Sequence, residues 1–112
     1  MSVTTKGMAT PDDTMSFDRG SIRVLRVGTS VLRLNTFEPG WRWSQSVGPT
    51  AGTATCHVHH IGYLLSGTLR IAGHDGEREI HSGDAYEILP DHDGWVVGDE
   101  TVRAIEFTPR EP

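Results

Sequence analysis

The chain has little that would crosslink it, anchor it or hold it to nucleic acid. It contains one cysteine, Cys56, so no internal disulfide can form and a disulfide-stapled scaffold is excluded. No apolar run approaches the roughly 20 residues of a membrane-spanning helix. Residues 1–18 carry no apolar stretch of the kind that marks a secretory leader. A cytoplasmic protein with no membrane partner is the expectation from these absences. Basic residues are outnumbered, 10 Lys and Arg against 15 Asp and Glu, and the net charge is −5. With no basic run, the chain lacks the electrostatic footprint of a nucleic-acid binder. Helical signals are missing as well: no segment sustains a helical apolar period with caps. The GxSxG, HExxH, P-loop, GxGxxG and CxxC motifs are all absent.

What is present fits one ordinary globular domain. The 112 residues are 36% hydrophobic and include 13 glycines, close to usual globular usage once glycine is counted. Residues 1–16 are polar, without hydrophobic period, and read as a flexible N-terminal arm. Residues 17–109 read as the folded domain and 110–112 as a tail. Within the domain, runs rich in Val, Ile and Leu alternate with turn signals. Ser21–Val27 and Ser30–Phe37 flank Gly28-Thr29, a plausible tight turn. Trp41, Trp43 and Gln45 follow Pro39-Gly40 at period two, and residues 48–52 read as a loop. Cys56–Leu65, Thr68–Ala72, Glu77–Ile80, Ala85–Leu89, Trp95–Gly98 and Thr101–Phe107 complete the series. About eight to ten short strands at such spacing predict an all-β sandwich or barrel.

The chemistry concentrates at Cys56-His57-Val58-His59-His60, three of the six histidines beside the only cysteine. Cys and His are the donors that zinc and other borderline metals prefer; a polar loop rim that binds nothing would have the same composition. On a straight strand, His57 and His59 share a face about 6.6 Å apart, whereas Cys56 and His60 share the other face about 13 Å apart. Parity alone therefore pairs His57 with His59, and Cys56 meets His60 only if the chain bulges. His92 lies in a loop entering a strand and is either a solvated loop residue, a further ligand or a proton carrier. Asp84, after Ser82-Gly83, is expected to cap its turn. His74 and His81 flank turns and are expected to be solvated.

The run from His60 to Ile71, HIGYLLSGTLRI, resembles the first motif of small single-domain cupins. Asp75-Gly76 followed by residues 82–92, SGDAYEILPDH, is similar to that family's spacer and second motif. The resemblance spans roughly residues 31–108 and is nearest to small bacterial stand-alone cupins. It implies a cupin-type antiparallel β-barrel, the jelly-roll-like double-stranded β-helix, often homodimeric. It also implies a metal held by His and Glu from the two motifs. Aligned on Gly67, His60 stands where the family has Glu, Cys56 where it has its second His, and Ala54 where it has its first. Gly94 takes the terminal His position, with His92 two residues earlier. The resemblance thus points to Cys56, His60 and His92 as ligands of a divalent transition metal (Zn, Fe, Ni or Cu), with His59, Tyr86 and Trp95 lining a small-molecule pocket. A thiolate in the set favours Zn, Cu or Fe over Mg or Mn. Two function classes follow. One is a metal-dependent enzyme of oxygenase, isomerase or lyase type acting on a small organic molecule. The other is a non-catalytic cupin that binds or senses a small ligand.

Overall fold

The computed structural model describes residues 2–109; the expected tail at 110–112 lies outside them. Nine strands and two four-residue helices occur among the described residues. They are β1 (Asp13–Phe17), β2 (Gly20–Val27), β3 (Ser30–Phe37), α1 (Trp43–Ser46), α2 (Gly48–Ala51), β4 (His60–Ser66), β5 (Thr68–Gly73), β6 (Gly76–His81), β7 (Ala85–Ile88), β8 (Asp93–Val96) and β9 (Val102–Pro109). No helix among them is long and apolar enough to cross a membrane.

The strands form two antiparallel sheets. One has six strands in the order β1-β2-β3-β9-β4-β7, the other three in the order β6-β5-β8. The all-β, jelly-roll-like expectation holds, but the barrel does not close. The three-stranded sheet is laddered only to itself, and the two sheets face each other as a sandwich. The chain crosses between them at Gly67, whose φ of 79° lies where a side chain is strained. A Cβ there would also stand 2.8 Å from Val102 Cγ2.

Alternation places the core. On β4, Gly62 and Leu64 are buried while Ile61, Tyr63 and Leu65 are exposed. On β9, Val102, Ala104 and Glu106 turn inward. They meet Leu69, Ile80 and Val96 from the small sheet, and Phe37 stacks on Trp41 with ring centroids 3.9 Å apart. Burial of this apolar surface is the main stabilising term. The outward face of β4 and β9 leaves Ile61, Tyr63, Leu65 and Phe107 in water, Ile61 directly beside Phe107.

Five local expectations change. Residues 48–52, read as a loop, contain α2, and the strand expected at Trp95–Gly98 is β8 at Asp93–Val96. Residues 13–16, assigned to the flexible arm, belong to β1 and pair with β2. Their side chains are exposed, so no apolar period betrays the strand. Backbone pairing holds it, helped by Asp12, whose carboxylate accepts the Arg26 N–H at 2.7 Å and pairs with Lys6. The period-two stretch at Trp41–Gln45 instead enters α1, because Asp93 accepts the Ser44 N–H at 3.0 Å and the Ser44 hydroxyl at 2.8 Å. The expected strand Cys56–Leu65 begins only at His60. Asp84 does cap its turn, accepting the His81 N–H at 2.8 Å.

Leu64 has no exposed surface. Leu64→Ala is expected to lower the unfolding free energy by about 2–5 kcal/mol. Leu89→Ala, at an exposed position, should change it by less than about 0.5 kcal/mol. Urea denaturation of both variants checks the pair.

Candidate metal centre

Two segments distant in sequence meet at one end of the sandwich. Residues 57–59 form no ladder, but Cys56 makes an isolated bridge to His92. The Cys56 N–H donates to the His92 carbonyl at 2.7 Å, and the Asp91 N–H donates to the Cys56 carbonyl at 2.7 Å. Asp91 sits at φ 68°, a left-handed conformation that Asp tolerates better than most residues. Its turn leads into the buried His92. His60 opens β4 on the inward parity of Gly62 and Leu64. The exposed bulge at 57–59 takes up the length that a straight strand would extend, and Cys56 Sγ lies 3.6 Å from His60 Nε2.

The ligand atoms of Cys56, His60 and His92 all lie within 4.8 Å of one another, and the two rings meet edge to face at 5.1 Å. The outer hydrogen bonds orient both rings. His92 Nδ1 is 2.6 Å from the Leu89 carbonyl. A carbonyl only accepts, so Nδ1 carries a proton and Nε2 is the ring's other nitrogen, left for the cluster. His60 Nδ1 is 2.7 Å from Glu106 Oε1, and Glu106 Oε2 accepts the Tyr86 hydroxyl at 2.7 Å. A carboxylate behind an imidazole is the support that metal-binding histidines use. Gly62 makes room for it: a Cβ there would lie 2.5 Å from the Ile105 carbonyl and 2.8 Å from both Glu106 Cγ and the Tyr86 hydroxyl oxygen.

These contacts set the protonation states of the metal-free cluster. Burial pushes the Cys56 thiol up, but hydrogen bonding with His60, His92 and the Val58 backbone outweighs it and brings the pKa to about 6. Burial pushes His60 down, but Cys56 and Glu106 outweigh it and raise the pKa to about 9. Near neutral pH the pair is therefore thiolate and imidazolium. Glu106 is raised by burial and lowered more by His60, Tyr86 and Asn35, ending below the usual carboxylate range. Burial and the neighbouring Glu106 raise Tyr86, which stays a hydrogen-bond donor.

The cluster opens on a cavity of about 810 Å³ whose walls include Phe17, Phe37, Trp41 and Trp43. The residues expected to line a pocket do not line this cavity. His59 is exposed and paired with Glu87 at 2.8 Å. Tyr86 stands behind Glu106 and lines a second cavity of about 460 Å³ that His92 also borders. Trp95 is covered by the Arg42 guanidinium, 4.3 Å from its ring centroid. The parity pairing of His57 with His59 is not realised, because residues 57–59 are an irregular loop, not a strand, and His57 turns toward Asp91. Sequence reasoning missed Glu106 and Asn35, both buried. The available signal was a carboxylate in step with Val102 and Ala104; Ile105 and Phe107 on the opposite parity hide it.

In metal-free protein, the 240 nm absorbance of the thiolate should rise with a midpoint near pH 6, far below an ordinary cysteine, and vanish in Cys56→Ser. Glu106→Gln removes the charge that holds His60 protonated, so the midpoint should move upward. A midpoint near 8.5 in the unaltered protein would contradict the pairing.

No protein-family profile matches the chain, and no curated protein does. Solved structures do. A variant of Bacillus subtilis oxalate decarboxylase superposes with a TM-score of 0.64 at 19% identity, covering 90% of this chain. A sugar phosphate isomerase of the cupin superfamily from Silicibacter pomeroyi gives a TM-score of 0.62 at 19% identity over 84% of this chain. Lactobacillus farciminis oxalate decarboxylase in a formate complex gives 0.64 at 14% identity over 88%. The chain spans only 28% of the Bacillus protein, 61% of the isomerase and 31% of the Lactobacillus protein. The Bacillus decarboxylase has Mn(II) centres. At these identities the likeness establishes architecture: the two facing antiparallel sheets of this chain are a cupin fold.

Proposed function

We propose that this chain holds a divalent transition metal on Cys56, His60 and His92 and acts on a small organic molecule in the adjoining cavity. The observation that carries the reading is the orientation of the two rings. Each His has its Nδ1 engaged outside the cluster, His60 turns its Nε2 to the Cys56 sulfur, and the ligand atoms of all three residues lie within 4.8 Å of one another. This donor set fits a borderline metal, Zn, Fe, Ni or Cu, better than Mg or Mn, because thiolate and imidazole are soft to intermediate donors. Three protein ligands leave coordination open, and the bound ion would supply Lewis-acid or, for Fe, O₂ chemistry. An oxygenase, isomerase or lyase reaction is compatible with that chemistry.

The chain's own residues have separable tasks. Glu106 fixes the His60 ring and takes its Nδ1 proton as hydrogen-bond acceptor. Tyr86 fixes Glu106. The apolar walls exclude water and orient the body of the ligand. A reducing cytoplasm would keep Cys56 available as a thiol. One contact favours the second reading, a non-catalytic ligand-binding cupin: Cys56 Sγ and His60 Nε2 already partner each other at 3.6 Å without an ion.

Elemental analysis of protein purified without a His tag separates the two. Near-stoichiometric metal is expected, lost in Cys56→Ala, His60→Ala and His92→Ala while circular dichroism remains that of a β-protein. Metal-free protein that takes up none of Zn, Fe, Ni or Cu on reconstitution would sink the metal reading. The homodimer implied by the resemblance would bury the exposed row of Ile61, Tyr63, Leu65 and Phe107 against a second copy, since an apolar sheet face is self-complementary about a two-fold axis. Sedimentation should then show a dimer that Leu65→Asp converts to monomer; a monomeric parent protein would refute it.

A further inference from the structure

We infer that the cavity selects an uncharged, largely apolar small molecule, such as a phenol, and rejects dianions. This deepens the proposed function by naming the ligand class, but it rests on which side chains line the cavity and holds with or without the ion.

Charge is the first argument. No Lys or Arg is among the described residues lining the cavity, whereas Asp18 and Glu106 are. The nearby cations are committed elsewhere. Arg42 pairs with Asp93 at 2.9 Å and covers Trp95. Arg19 pairs with Asp18 at 2.8 Å on the outside. The N-terminus of α1 is also taken, its Ser44 N–H bound by Asp93. A wall with two acids and, among the described residues, no Lys or Arg offers a buried dianion no fixed cation to pair with, and an unpaired buried charge is costly.

The walls give the second argument. Phe17, Ile22, Phe37, Trp41, Trp43 and Leu69 supply mostly apolar and aromatic surface, suited to a flat apolar body. Oxalate and sugar phosphates, for which the structural neighbours are named, are dianionic and hydrophilic, and they have no counterpart in walls of this kind.

Phenol and phenyl phosphate test this, because they share a ring and differ in the dianionic head. Calorimetric titration is run on zinc-loaded and on chelator-treated protein. Phenol is expected to bind at least tenfold more tightly in both forms. Thr50→Arg, at an exposed position on the cavity wall, should narrow the ratio at least fivefold by supplying a cation. Phenyl phosphate matching or exceeding phenol in either form overturns the inference, as does failure of phenol to bind in both. Failure of the metal reading appears separately, as absence of zinc in elemental analysis, and leaves the chelator-treated comparison intact.

Discussion

A carboxylate buried between two sheets has to be compensated, and the cluster around Glu106 is arranged by that requirement. Glu106 is 5% exposed and projects from β9 between the sheets. Its two oxygens are taken by His60 at 2.7 Å and Tyr86 at 2.7 Å. The His60 ring is thereby fixed with Nε2 toward Cys56. Gly62, next inward residue on β4, must lack a side chain for the same reason, since a Cβ would meet Glu106, Tyr86 and the Ile105 carbonyl. One inward charge on β9 thus fixes a ring and a glycine on β4 and a hydroxyl on β7. Removing the charge leaves His60 without the partner that raises its pKa.

The second constraint is the backbone bridge between Cys56 and His92. Hydrogen bonds of 2.7 Å on either side of Cys56 hold the two ligand-bearing loops together without any side chain. Side-chain substitutions at Cys56 and His92 therefore leave the bridge's own donors and acceptors in place, which is why loss of ligand atoms can be separated from loss of fold. The bulge at residues 57–59 is the cost of this arrangement, with two imidazoles and Val58 turned to solvent. It also explains the crowded histidines: His60 faces the cluster, while His57 and His59 are exposed beside Asp91 and Glu87, at 3.4 and 2.8 Å.

The strands and turns from β2 onward were legible because alternation and Gly-containing turns act locally. Gly28, Gly67, Gly76 and Gly83 all have positive φ at the turns where the sequence places them. β1 was not legible, because its pairing is a backbone effect with no buried side chain to leave a period. α1 was not legible, because its cap is Asp93, about fifty residues away. The convergence of Cys56, His60 and His92 was reached from the resemblance, while strand parity pointed to His57 and His59. Parity failed because it presumes a straight strand. Glu106 was missed because β9 alternates apolar residues on both faces, so periodicity did not reveal which face was inward. What sequence periodicity lacks throughout is the identity of the facing element.

The distinction between architecture and chemistry is sharp in this chain. Its backbone superposes on portions of enzymes named for oxalate and for sugar phosphates, yet the same backbone positions can host unrelated reactions. What decides the ligand is the charge and polarity of the side chains projecting into the cavity. Here two acids, several aromatic rings and no Lys or Arg line it among the described residues. Desolvating a dianion against such a wall has no electrostatic return, whereas an apolar ring with a hydroxyl loses little by leaving water. The shape of the fold carries a site across large sequence distances, and the buried charges around that site determine what it can accept.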